Sequence, residues 1–406
     1  RRVVVTGGSC ISALGSEVEE IFESLHKLEN KVVRMDDWER YTQMNTRLAA
    51  PVNYTFPELP RRKIRGMGRV ALLGTVSAVK ALEDSGLDKD TEFLQSGRVG
   101  VAYGSCTGSV LPLIDFFSMI ATNDCSKITA TTYIKAMPQT CAVNIAVYFG
   151  LTGRLYTSNT ACTSGSISIG AAYEYIKYGM QDAMIAGGAE ELNPTQSAVF
   201  DTLFATSNKN DTPKLAPASY DKDRDGLVIG EGSGTLVLEE YEHAKARGAK
   251  IYAELVGFGT NTDGDHLTSP KQETMQKAIE MAITDAGIPV DAIGYVNGHG
   301  TATQQGDKAE SWATYNALKG RSVPISSLKS YIGHTLGACG GIEAWLAINM
   351  MRKGWFSPNL NLKNIDPACA PLDYITGDGR NMDVDYIMSN NFAFGGINTS
   401  LIFKRM

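Results

Sequence analysis

Short apolar runs rich in β-branched residues alternate with longer stretches of helical period along this chain. Val3–Thr6, Val99–Tyr103, Ala183–Ala186, Thr235–Glu239, Ile251–Gly257, Gly294–Val296, Val323–Ser326 and Ser400–Phe403 read as strands. Glu17–His26, Ala71–Ser85, Ala142–Phe149, Ser166–Tyr178, Thr274–Ala286, Ala309–Leu318 and Ile342–Arg352 read as helices. The alternation predicts an α/β protein with largely buried sheets.

The pattern also repeats. Arg98–Gly108 is similar to Ile293–Thr303, Asn159–Gly179 parallels Ser327–Gly354, and Gly230–Glu239 parallels Gly395–Lys404. The chain therefore divides into two related halves, 1–247 and 248–406, joined near Lys245–Lys250. The first half is longer. Its extra length is expected in the polar, turn-rich stretches Asp36–Arg69 and Asn208–Asp225, which suit binding surfaces.

Bulk properties narrow the class. Of 406 residues, 43% are apolar and 20% charged, an ordinary globular balance. The formal net charge of −6 argues against general nucleic-acid binding. No apolar run reaches the roughly 20 residues that span a bilayer, so no membrane insertion is expected. Seven cysteines are scattered without paired or metal-ligand spacing, so no metal is expected. The opening Arg1–Gly8 reads as a strand rather than a leader. Together these predict reduced thiols and a cytoplasmic location.

Candidate chemistry begins at Asn159-Thr160-Ala161-Cys162-Thr163-Ser164-Gly165-Ser166. A cysteine among small residues, just ahead of a helix, meets unpaired backbone N–H groups and the positive end of the helix dipole. That setting is expected to lower the thiol pKa. Two histidines stand in glycine-rich loops after strands: His299 in Gly298-His299-Gly300-Thr301-Ala302-Thr303, and His334 in Lys329-Ser330-Tyr331-Ile332-Gly333-His334. Loops at strand ends line the crevices of α/β sheets. His26, His243 and His266 read as solvated surface groups.

These motifs, in this order, resemble the elongating β-ketoacyl-acyl-carrier-protein synthases of the thiolase superfamily. The resemblance runs nearly end to end. It includes the opening strand, the Cys162 loop, Tyr220-Asp221-Lys222-Asp223-Arg224-Asp225-Gly226, both histidine loops and the closing Asn390-Asn391-Phe392-Ala393-Phe394-Gly395-Gly396. It implies a five-layered α-β-α-β-α fold built from two duplicated halves. It also implies a decarboxylative Claisen condensation: Cys162 holds an acyl group, and malonyl-carrier protein loses CO₂ to give an enolate that attacks it.

The resemblance implies a role for each remaining residue. His299 and His334 donate to the malonyl thioester oxygen, and the backbone N–H groups of Cys162 and Phe394 form the acyl-transfer oxyanion hole. Lys329 holds the environment of His334, with Glu343 as the acidic partner. Thr301 and Thr303 bind the phosphopantetheine arm, which arrives on the carrier protein, so no resident cofactor is expected. Thr107 lines the acyl tunnel, and Phe392 and Phe394 gate the nucleophile. The basic run with Arg62, Lys63, Arg65 and Arg69 docks an acidic carrier protein. The family is usually dimeric, as a homodimer or with a related subunit.

Several positions depart from the elongating pattern. Gly298 stands where alanine is usual, Gln304-Gln305 replaces a proline-containing pair, and Tyr331-Ile332 replaces Met-Thr. Ala393 and Ile397 replace glycine and threonine. These leave both fatty acid and aryl-polyene or polyketide-type pathways open. The competing readings are a non-catalytic chain-length partner, which would lack the nucleophile, and a thiolase, which would need a second cysteine where His334 stands.

Overall fold

The predicted strands fall into one continuous 11-stranded sheet in the computed structural model, which describes residues 1–406. The strands are β1 (Val3–Ile11), β2 (Val99–Gly104), β3 (Leu155–Tyr156), β4 (Ala183–Glu190), β5 (Gly232–Glu240), β6 (Ala253–Thr262), β7 (Ile293–Asn297), β8 (Pro324–Ser326), β9 (Asp373–Tyr374), β10 (Tyr386–Ala393) and β11 (Ile397–Lys404). The principal helices are α1 (Arg69–Ser85), α2 (Thr140–Phe149), α3 (Ser164–Lys177), α4 (Gln272–Ala286), α5 (Gln304–Ala317) and α6 (Cys339–Lys353).

The spatial order makes the repeat explicit. From the centre outward, one half runs β1-β5-β4-β2-β3 and the other β6-β11-β10-β7-β8, with β9 added at its edge. In both, the first two pairings are antiparallel and the next two parallel. The halves join where Val3, Val4 and Val5 pair with Leu255, Glu254 and Ala253.

Five layers result. α1 and α2 cover the outer face of the first half, while α4 covers the second with α5 packed beside it. α3 and α6 lie between the halves, and α3 touches strands of both. The middle layer is thin because its contacts are backbone to backbone. A methyl built on Gly340 would lie 2.5 Å from the Ser166 nitrogen, so glycine is required for the two helix starts to meet. Separate apolar cores fill the outer layers and the interior between the halves.

Two features escape the periodicity. β10 carries Ser389-Asn390-Asn391 in its centre, although all three are buried. The first half also has an additional insertion, residues 105–139, which holds the helices Leu113–Thr122 and Ala130–Ala136. Its counterpart after β7 is only the loop 298–303. No helix is long and apolar enough to cross a membrane.

Candidate active site

The starts of the two inner helices bring the predicted residues together. Cys162 lies in a 3₁₀ turn, Ala161–Thr163, that runs directly into α3, with Ala161 at φ +49°. The repeat places Leu336, also at φ +49°, at the same point before α6. A non-glycine residue in the left-handed region is uncommon and costs conformational energy. Here it turns the chain sharply enough to aim the thiol away from the helix axis. The backbone N–H groups of Cys162 itself and of Phe394 point at its sulfur.

His334 Nε2 lies 3.0 Å from Cys162 Sγ. Its Nδ1 accepts the Leu336 N–H at 3.3 Å, which leaves the ring proton on Nε2. His299 is fixed the same way. Its Nδ1 faces Lys329 Nζ at 3.2 Å and Asn391 Nδ2 at 3.3 Å, both of which only donate. Its proton is therefore also on Nε2. The two rings stand 5.1 Å apart and nearly perpendicular. Burial, then the Lys329 charge, hold both histidines well below the usual range, so both are neutral donors at pH 7.

Sulfur and nitrogen atoms of Cys162, His299 and His334 lie close enough to bracket a metal ion. The tautomers oppose it. Each Nδ1 is occupied by a donor, so each Nε2 keeps its proton and offers no lone pair.

Lys329 pairs with Glu343, whose other oxygen accepts from Asn391 at 2.7 Å. Burial works against the lysine charge, but Glu343 outweighs it and the ammonium pKa is raised. Lys329 contacts His299 rather than His334, so the expected partner is corrected. It reaches His334 only through its field.

The thiol also departs from expectation. Burial pushes Cys162 up to about 11, and the pull of Lys329 and the two N–H groups only partly offsets it. The resting group is a thiol. Its thiolate fraction should rise about tenfold per pH unit through the neutral range. Alkylation of Cys162 by iodoacetamide, followed by peptide mass spectrometry, should climb steadily from pH 7 to 9. A plateau below pH 8 would contradict this.

A cavity of about 340 Å³ opens from the sulfur to the surface. Thr301, Thr303, Phe392 and Phe394 line it. The threonine hydroxyls are 2.9 Å apart, Phe392 meets the His299 ring at 6.2 Å, and Phe394 stacks on Phe200 at 4.8 Å. Thr107 does not line this cavity; it is exposed, and its hydroxyl donates to buried Glu190 at 3.3 Å. Arg62, Lys63 and Arg65 lie on the surface, with Lys63 held to the Tyr148 carbonyl at 2.6 Å. Arg69 is committed to Glu231 through bonds of 2.8 and 2.6 Å. His26 packs on Trp355 and His266 is exposed, but His243 is half-buried against Glu239 and Phe93.

Sequence reasoning missed the support beneath His299. Glu310 accepts the N–H groups of His299 and Gly300, the latter at 2.7 Å. Asp307 accepts those of Tyr220 at 2.7 Å and Ala302 at 3.1 Å. Burial pushes Glu310 up to about 8 and Asp307 to about 6. The available signal was a polar stripe of helical period on α5: Asp307, Glu310, Ser311 and Thr314, all buried.

Comparison with known proteins agrees with this architecture. Residues 1–244 match the model for the N-terminal domain of the beta-ketoacyl synthases, and residues 252–363 match that for their C-terminal domain. A 3-oxoacyl-[acyl-carrier-protein] synthase 2 from Vibrio cholerae is 39% identical, covering 100% of this chain and 99% of the relative. A solved beta-ketoacyl synthase from Burkholderia phymatum is 53% identical with a TM-score of 0.98, covering 100% of both chains. A type II polyketide ketosynthase, solved with its acyl-carrier protein and bound to the hexaketide, is 28% identical. Its TM-score is 0.89, over 100% of this chain and 99% of that one.

Proposed function

The chain belongs to the beta-ketoacyl synthase family, and from that premise we propose that it is an elongating 3-oxoacyl-acyl-carrier-protein synthase of Cys–His–His type. In the first half-reaction, Cys162 sulfur attacks the thioester carbonyl of an acyl-carrier protein. The oxyanion sits on the N–H groups of Cys162 and Phe394, the carrier thiolate leaves, and it takes up the proton that Cys162 gives up. In the second, a malonyl thioester enters the same cavity. Its C–C bond to the carboxylate breaks, CO₂ departs, and the electron pair forms an enolate whose oxygen accepts Nε2–H bonds from His299 and His334. The enolate carbon attacks the acyl-Cys162 carbonyl. The tetrahedral intermediate expels the Cys162 thiolate, which regains a proton from solvent.

The observation that carries this reading is the pair of neutral histidines with protonated Nε2 atoms beside a sulfur that two backbone N–H groups already address. Fixed donors aimed at developing charge are usually the largest catalytic contribution. Lys329 and Glu343 position His299 and keep it neutral. Thr301 and Thr303 hold the phosphopantetheine arm along the cavity. Arg62 and Arg65 are the cations of the basic run that meet an acidic carrier protein; the Arg69–Glu231 pair favours a structural role for Arg69.

The acyl chain belongs to fatty acid or aryl-polyene/polyketide-type biosynthesis. All seven cysteines are free thiols, which a reducing cytoplasm preserves. Purified chain given acyl-carrier and malonyl-carrier proteins should form one 3-oxoacyl product and one CO₂ per turnover. No product would favour the non-catalytic partner instead.

The chain acts as a homodimer. Leu111, Ile114, Phe117, Ile120 and Tyr133 of the insertion are all exposed, and the same half ends in the unpaired edge strand β3. Apolar patches rimmed by polar residues mark association surfaces. Sedimentation should give twice the chain mass, and Phe117→Asp with Ile120→Asp should halve it. A monomeric wild type would point to a related subunit as the natural partner.

A further inference from the structure

We propose that Tyr220 is a positioning residue for His299 and that its hydroxyl makes glycine obligatory at position 298; the proposal rests on the assignment of His299 to condensation. Tyr220 is fully buried in the loop before β5. Its backbone is pinned on both sides. Its N–H donates to Asp307 at 2.7 Å, and its carbonyl accepts the Asp366 N–H at 3.0 Å. Its ring packs on Tyr374 with centroids 5.0 Å apart.

So held, the phenol lies directly against the His299 loop. Its oxygen finds no hydrogen-bond partner there. A methyl built on Gly298 would lie 2.2 Å from that oxygen. The next neighbours of that methyl are Ile325 Cδ1 at 3.1 Å and a Glu310 oxygen at 3.2 Å. Only the phenol oxygen is therefore close enough to exclude alanine outright. Gly298 is not among the positive-φ residues, so backbone conformation does not demand glycine.

The loop has little room to move away. His299 and Gly300 donate to Glu310 on one side, and the Gly300 carbonyl accepts from Ser219 at 2.6 Å and Ser327 at 3.0 Å. A methyl at 298 must push the loop off Tyr220, and His299 moves with it. Cys162 lies on a separate element, the turn before α3, and is not carried along. This accounts for the departure from alanine at position 298: the space of one methyl is taken by one hydroxyl.

Gly298→Ala should lower condensation about 30-fold, since ångström-scale misplacement of a catalytic group costs on the order of 10²-fold. Acyl transfer onto Cys162, read by intact-protein mass spectrometry, should stay within about threefold, as expected of a group that acts only in the second half-reaction. Tyr220→Phe combined with Gly298→Ala should recover condensation to within about threefold of Tyr220→Phe alone, because the clashing oxygen is gone. A Gly298→Ala variant that condenses at the wild-type rate, or a double variant as impaired as the single, overturns the pairing. Should Gly298→Ala be insoluble, recovery of soluble, condensing protein in the double variant carries the test, and failure to recover overturns the proposal. Wild-type protein that never condenses would refute the functional assignment instead; condensing wild type with unimpaired Gly298→Ala refutes the pairing alone.

Discussion

Alanine in place of His299 is expected to cut condensation about 10³-fold while leaving acyl transfer onto Cys162 within about threefold. Removing one preorganised donor to a developing oxyanion typically costs 10²–10³-fold. His299 also anchors the Lys329–Glu343–Asn391 network, so the upper end applies. His334, not His299, is the histidine hydrogen-bonded to the sulfur, and the first half-reaction uses the N–H groups of Cys162 and Phe394. His334→Ala should behave differently. Its Nε2 touches Sγ at 3.0 Å, so both steps should suffer. Separate assays of acyl loading by mass spectrometry and of 3-oxoacyl product distinguish the two variants. Equal loss of loading in both would refute this division of roles.

The second large effect is at Cys162. Cys162→Ala should abolish the acyl adduct and reduce turnover below detection, because no other nucleophile occupies the oxyanion hole. Cys339 is buried and its thiol donates to the Cys162 carbonyl at 3.1 Å, facing away from the cavity lining. The fold should survive, since the change removes one small atom from a site already open to a cavity. The histidine pair remains, so slow CO₂ release from malonyl-carrier protein should persist without condensation. A Cys162→Ala protein that neither folds nor releases CO₂ would assign the cysteine a structural role as well.

Much of this arrangement is legible in the chain. The duplication follows from three pairs of matching segments, and strand order bears it out element by element. Cys162, His299 and His334 stand out because reactive residues among glycines and small residues are rarely needed for packing. The contacts among them are less legible. Lys329 is five residues from His334 yet bonds His299, because the turn Lys329–Ile332 directs its side chain across the middle layer. The thiol pKa could not be read from a helix start alone, since the opposing burial depends on Phe200, Leu336 and Cys339 closing around it. Glu310 and Asp307 look like surface acids until the covering elements are known. Tyr220 acquires meaning only beside Gly298, far away in sequence.

The insertion 105–139 is hidden for a different reason. Its helices are apolar on faces that the single chain leaves exposed, so periodicity does not point to this chain's own core. β10 is hidden because its central polar residues are buried: Asn391 donates to His299 and Glu343 of the active-site network, where a strand read from apolar alternation would carry a hydrophobic side chain.

The central claim is that the acyl chain rides on Cys162 between two half-reactions. Intact-protein mass spectrometry during a single turnover addresses it: acyl-carrier protein first, then malonyl-carrier protein. The predicted result is a stoichiometric acyl adduct on Cys162 that disappears as the 3-oxoacyl product forms, absent in Cys162→Ala and persistent in His299→Ala. Product formation without any adduct, or condensation by Cys162→Ala, would contradict it.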